Sequence, residues 1–298
     1  MGFIKALIEK RKPYLICIDS DGCVFDTMEL KHRECFCPAL IQDWQLQGIS
    51  RYVRETMEFV NLYSIYRGAN PYMELVKTFE LLKKRPEVRK RNVQIPDLTA
   101  VETWISQADS ISDADLEDYM QRNGNDEILE RTLAYSKDGE HRILEMTQNI
   151  PPFPYVKDVL EELSEVADIL VVSTAPEKQL IKEWEEGGIF RYVNGIAGQE
   201  TGKKAESICR GIAAGYEKEK VIMLGDAPGD HEAAKRNGIA FYPIIPGKEE
   251  DSWAKFADMV LSCFLSGTLT EKIQSDFLKD FYEHLPEKPS WEELEDKF

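Results

Sequence analysis

The stretch YLICIDSDGCVFDT, residues 14–27, decides the fold. Its first residues form a compact apolar run bounded by turn residues, which reads as a buried β-strand. The run stops at two aspartates, Asp19 and Asp21, with Gly22 directly after the second. Like charges this close are unfavourable unless a cation or a reacting group stands between them. The end of this strand is therefore where a reactive site is expected.

Reading outward, residues 28–150 are almost wholly helical in pattern. Leu75, Val76, Phe79 and Leu82 fall at helical spacing, and SISDADLEDYM (110–120) offers serine and aspartate N-caps ahead of its helix. No strand pattern interrupts them. After the prolines of NIPPFPY (149–155), α/β alternation sets in. Val156, Leu160 and Leu163 mark a helix, and DILVVS (168–173) a strand. Leu180, Ile181 and Trp184 mark a second helix, ended at Gly187-Gly188. VNGIAG (193–198), KVIMLG (220–225) and IAFYPII (239–245) read as strands. AESICRGIAA (205–214) and HEAAKRNG (231–238) read as the helices between them, the second starting near His231. The fold class expected is α/β: a Rossmann-like parallel sheet flanked by helices, with an all-helical domain inserted after the first strand. The expected divisions are 1–27 and 151–265 for the sheet domain, 28–150 for the helical domain and 266–298 for a C-terminal helical extension.

Composition narrows the partners. The 298 residues carry 54 acidic against 37 basic side chains, a net charge of −17. That balance argues against nucleic acid, whose phosphates need clustered Lys and Arg, and against an anionic membrane surface. Any phosphate must be received by a local positive site. The run KKRPEVRKR (83–91) reads as a solvated helix end and loop broken at Pro86. The start MGFIKALIEKRKPY has too short an apolar stretch for a signal-peptide core and reads as a short amphipathic helix. No apolar run reaches membrane-spanning length. Six scattered cysteines (17, 23, 35, 37, 209 and 263) fit a reducing compartment, so a cytoplasmic location is expected.

Four pieces then fall at strand ends or in the loops after them. They are Asp19 and Asp21; Ser173 and Thr174 after DILVV; Lys203-Lys204 after GQETG; and GDAPGD (225–230), with Asp226 and Asp230, after KVIML. Ligands of such sheets bind beyond the carboxyl ends of the strands, so these residues can converge. Together they suit phosphoryl transfer. Carboxylates can face an anionic substrate only if a divalent cation neutralises them, and Asp19 and Asp226 are natural hard-oxygen ligands for Mg²⁺. A lysine and a hydroxyl can hold the remaining phosphate oxygens. An aspartate pair at i and i+2 offers a nucleophile and a proton carrier.

At these residues the chain resembles the haloacid dehalogenase-like hydrolase superfamily, in its phosphatase branch. DSDGCVFDT matches the first motif, DxDGxxxD[ST]; VVSTAP resembles the second; GKKAES the third; and GDAPGD matches the fourth, GDxxxD. The resemblance covers residues 14–27 and about 151–245, and places the insertion where that family carries a helical C1-type cap. It implies that Asp19 attacks phosphorus to form an aspartyl-phosphate, while Asp21 protonates the leaving alcohol and then deprotonates water. It implies Mg²⁺ held by Asp19, the Asp21 backbone carbonyl and Asp226, with Asp230 beside them, and phosphate held by Ser173, Thr174 and a lysine. The K-x-E spacing favours Lys204, with Lys203 the alternative. The implied substrate is a small phosphorylated metabolite.

Other readings compete with this one. A calcium loop counted from Asp19 reaches Leu30 at position 12 instead of a bidentate Glu. A dinucleotide site would need Gly-x-Gly-x-x-Gly after the first strand, which is not there. His32, Cys35 and Cys37 in HRECFC suggest a partial zinc site without a conventionally spaced fourth ligand. Arg51, Arg54 and Arg67 are candidate substrate contacts on the insert. A β-phosphoglucomutase-like phosphotransferase shares every motif. A dehalogenase is disfavoured by Asp21, a phosphonatase by the lack of a distinctive insert lysine, and a non-catalytic scaffold by the intact acidic set.

Overall fold

The computed structural model describes residues 5–108 and 110–292. The sheet has five strands, β1 Tyr14–Ile18, β2 Ala167–Val172, β3 Gly195–Ala197, β4 Val221–Gly225 and β5 Ala240–Pro243. They are all parallel, in the order β3-β2-β1-β4-β5. Alternate residues of β1 supply opposite faces. Ile16 and Ile18 join Ile169, Val171, Ile222 and Leu224 under the helices Val156–Val166, Glu177–Glu186 and Glu249–Lys255. Leu15 and Cys17 join Leu170, Val172, Val221 and Met223 under the helices Lys204–Ile212 and Pro228–Asn237. Burial on both faces explains why the strands read as continuous apolar runs instead of alternating ones.

The chain divides into two compact units, whose described parts are residues 5–28 with 148–284, and 29–147 with 285–292. The first holds the sheet. The second, among its described residues, is built of helices alone, including Ser50–Leu62, Pro71–Lys84, Thr99–Gln107, Asp113–Asn123 and Glu127–Met146. Its core gathers Leu40, Trp44, Phe79, Leu82, Trp104 and Leu116. Ser112 caps its helix by accepting from the Asp115 amide. Residues 266–284, with the helix Glu271–Glu283, cluster with the sheet unit, and Leu285 onward with the helical one.

Two local expectations need correction. Residues 5–13 are not helical. Their amides are taken by distant partners instead: Leu7 donates to the Arg210 carbonyl, and Arg11 and Lys12 to the buried Asp168 carboxylate at 2.8 Å each. Residues 1–4 lie outside the described residues. The helix after β4 starts at Pro228 instead of His231, with proline in the first turn where its missing amide costs nothing. That shift puts Asp230, not His231, in the N-terminal turn.

Candidate active site

The strand order reverses direction between β1 and β4, since the chain runs from β1 to β2 and β3 on one side and to β4 and β5 on the other. Such a switch point opens a crevice at the carboxyl ends of its two strands. Asp19 leaves β1 there with its amide bonded to the Leu224 carbonyl of β4, and Asp226 follows β4 directly.

Behind Asp19 the chain turns sharply. Gly22 has φ +73°, a left-handed conformation that suits glycine, and the amides of Val24 and Phe25 both return to the Ser20 carbonyl. Two indoles from distant helices fix this loop. Trp184 Nε1 donates to Ser20 Oγ at 3.0 Å, and Trp253 Nε1 donates to the Cys23 carbonyl at 2.8 Å. The loop is therefore held by the packed core as well as by its own short-range bonds.

Asp19, Asp226 and Asp230 are 5%, 1% and 0% exposed, and one carboxylate oxygen of each lies within 4.8 Å of the others. Lys204, the first residue of its helix, sends Nζ to Asp19 Oδ2 at 2.8 Å and to Asp230 Oδ1 at 2.7 Å. Lys203 is exposed and stands just before that helix, so Lys204 is the lysine that reaches the cluster. Asp19 Oδ1 accepts from the Ser20 amide, and Asp230 Oδ2 from the Ala227 amide, which caps the helix start.

Burial pushes the Asp19 carboxyl up, Lys204 pulls it back and Asp230 pushes it up again, to about 6. Burial likewise raises Asp230, opposed by Lys204 and reinforced by Asp226. Burial alone would lower the Lys204 ammonium, but the two aspartates outweigh it and hold it above its ordinary value. Cys23, within the loop, is pushed well up by burial and then by Asp226, Asp19 and Asp230, so its thiol stays protonated. Three buried carboxylates converge beside one ammonium, and the donor set is all oxygen. This cluster could hold a hard divalent cation.

The other expected residues stand around it. Asp21 is half-buried, and its carboxylate accepts from the Thr27 hydroxyl. Ser173 is buried and directly follows β2, the strand paired with β1; its hydroxyl accepts from the Ala175 amide at 3.2 Å. Thr174 is exposed. Sequence reasoning did not find Trp184 or Trp253 as supports, and no local pattern marks them. Thr27 was readable as the closing residue of the first motif, though not as the partner of Asp21.

The remaining candidates sit in the helical unit. His32 Nδ1 is 2.8 Å from Asn61 Nδ2, and Cys35 and Cys37 are buried free thiols. Arg51 is exposed and paired with Glu55, and Arg54 is exposed. Arg67 is buried and donates to the Leu62 carbonyl at 2.9 Å.

The family profile described as haloacid dehalogenase-like hydrolase matches residues 97–244, about half of the chain, from within the helical unit through the GDAPGD loop to the end of β5. The chain belongs to the haloacid dehalogenase-like hydrolase superfamily. Among solved structures, it is similar to a haloacid dehalogenase-like family hydrolase from Xanthomonas campestris, at 12% identity, 89% of this chain, 98% of that one and a TM-score of 0.46. It is also similar to a haloacid dehalogenase-like family protein from Streptococcus pneumoniae, at 16% identity, 84% of this chain, 98% of that one and a TM-score of 0.42. No curated protein sequence matches it. As a member of a hydrolase superfamily the chain is an enzyme, and among its described residues no helix is long and apolar enough to cross a membrane.

Proposed function

We propose that the protein is a Mg²⁺-dependent phosphatase that hydrolyses a small phosphorylated metabolite through an aspartyl-phosphate on Asp19. The observation that carries this reading is the Lys204 ammonium set between Asp19 and Asp230, with Asp226 beside them at the switch point of the sheet.

Asp19 would supply the attacking oxygen: as its bond to phosphorus forms, the bond from phosphorus to the leaving alcohol breaks. Asp21 would give that alcohol its proton, then take one from the water that hydrolyses the acyl-phosphate. The Thr27 hydroxyl supports this role because it orients the Asp21 carboxylate from the opposite end of the same motif. Lys204 would meet the charge that builds on the phosphoryl oxygens, aided by the Ser173 hydroxyl and by Thr174. Asp19 and Asp226 would hold the cation, with the Asp21 carbonyl. Asp230 would stand beside them, its two oxygens meeting Lys204 and the Ala227 amide. When bound, Mg²⁺ supplies charge neutralisation at the phosphoryl group.

The inserted part of the helical unit begins at Glu29, shortly after the Asp21–Thr27 loop, and ends at Thr147; the chain then returns to that loop at Phe153, whose amide bonds the Val24 carbonyl. We read it as a cap that closes for turnover and opens for exchange. Closure of such a cap over the site would suit a small substrate.

Hydrolysis of p-nitrophenyl phosphate with Mg²⁺ and after chelation tests the metal; full activity in chelator overturns it. A panel of phosphosugars, phosphoglycolate, nucleotides and a phosphopeptide tests the enclosure. Preference for the phosphopeptide over every small molecule would refute it.

A further inference from the structure

The chain crosses between its two units at three places, after residues 28, 147 and 284. An inserted domain alone accounts for two. The third is made by the C-terminal segment, which leaves the helix Glu271–Glu283 of the sheet unit and joins the helical unit from Leu285 onward.

That attachment is a built contact. Leu285 is 1% exposed and Pro289 is buried. Trp291 packs edge-on against Phe59 at 5.6 Å between ring centroids, beside Val60 and Leu81. The Arg85 guanidinium lies 4.2 Å from the Trp291 ring and 5.0 Å from the Tyr52 ring. Arg85 is itself 3% exposed, and it donates to Glu55 at 2.6 Å and to Thr56 at 3.2 Å. A desolvated cation beside an indole is a stronger anchor than the same pair in water. Nor is the segment slack. Pro286 and Pro289 fix φ at two of the seven residues Leu285–Trp291, and the seven together span at most roughly 25 Å.

A body joined by two linkers can still turn about them, and a third covalent connection adds a restraint on that turning. We propose that the segment Leu285–Trp291 is a strap on the helical unit: Trp291, seated on Arg85 and Phe59, limits the opening of that unit, and its release frees the motion. The consequence for substrate entry rests on the cap reading above, but the restraint itself does not depend on catalysis.

The test is hydrogen exchange on the full chain and on Trp291→Ala, followed at residues 285–292 and at the two linkers around residues 26–30 and 146–150. Loss of the anchor is expected to speed exchange in the strap and, with it, in both linkers, on the order of tenfold. Trp291→Phe, which keeps a ring over Arg85, should restore most of the protection. If the strap exchanges faster while the linkers do not change, the segment decorates the helical unit without restraining it, and the proposal falls. If the strap itself stays protected in Trp291→Ala, Trp291 is not the anchor, and the proposal falls likewise. Exchange needs no turnover, so failure of the phosphatase assay would leave this result standing.

Discussion

Gly225 and Asp230 fit together so closely that a methyl group on Gly225 would stand 2.4 Å from the Asp230 carboxyl carbon. The glycine that opens the GDAPGD loop is thus there for want of a side chain. It lets the Asp230 carboxylate fold back under the end of β4, where one oxygen caps the helix Pro228–Asn237 and the other meets Lys204.

Gly225→Ala should therefore displace Asp230. The overpacking should cost about 1–3 kcal/mol of stability, and turnover should fall far more than that loss explains. Denaturant unfolding and steady-state rates on the same preparation check this. Unchanged turnover would mean that the carboxylate's place is unimportant.

The two aspartates of the first motif should separate by substitution. Asp19→Asn removes the attacking oxygen and a cation ligand, so both turnover and Mg²⁺ binding should be lost. Asp21→Asn should keep Mg²⁺ binding, because its expected contribution to the metal is a backbone carbonyl. Its turnover should fall by roughly 10² to 10⁴ through lost proton transfer. Calorimetric Mg²⁺ titration beside the rate measurement tells them apart; a beryllium fluoride adduct on any residue other than Asp19 would sink the assignment.

Lys204 and Lys203 are neighbours with opposite expectations. Lys204→Met leaves three buried carboxylates with no ammonium among them, which should cost about 3–5 kcal/mol in chelator, with part recovered on adding Mg²⁺. Lys203→Met, at an exposed position, should stay within about 0.5 kcal/mol of the parent. Thermal melts of both variants with and without Mg²⁺ decide it, and equal losses would show that Lys204 does not carry the cluster.

Much of this was legible because parallel strands advertise themselves twice, as buried apolar runs and as polar residues at their carboxyl ends. Ile18 before Asp19, Val172 before Ser173 and Leu224-Gly225 before Asp226 each carry both marks. Lys203 and Lys204 could not be separated by eye, since they are adjacent and only where the helix starts decides which one reaches Asp19. The supports of the Asp19 loop were out of reach. Trp184 and Trp253 read as ordinary apolar helix residues, yet their indoles bond partners 164 and 230 residues away. The N-terminal segment misled for a related reason. Its helical pattern is real, but the amides that a helix would use are claimed by Asp168 and the Arg210 carbonyl. The division of residues 266–292 at Leu285 has no periodic signature either. Two apolar residues in a charged tail reveal their partners only once Phe59, on the helix Ser50–Leu62, and Arg85, just past the helix Pro71–Lys84, are brought together.

Glu74 sets a pH dependence in the helical unit that is independent of the site. It lies 3% exposed on the helix Pro71–Lys84, where burial drives its carboxyl well above the usual range and Arg67 only partly pulls it back. Tyr135, pushed up by its own burial and by Glu74, faces the same region and adds no positive charge. A carboxyl raised in the folded state contributes stability that is complete below its unfolded value, near 4.3, and lost as pH climbs through the folded one. Glu74→Gln mimics the protonated form and lacks that loss. The variant should match the parent near pH 4.5 and gain on it as pH rises toward 8, by up to about 1.4 kcal/mol per pH unit while only the unfolded state is ionised. Urea unfolding at pH 5, 6.5 and 8 follows the gap. A gap that stays constant, or that turns against the variant at higher pH, would mean that Glu74 is ionised throughout as the partner of Arg67.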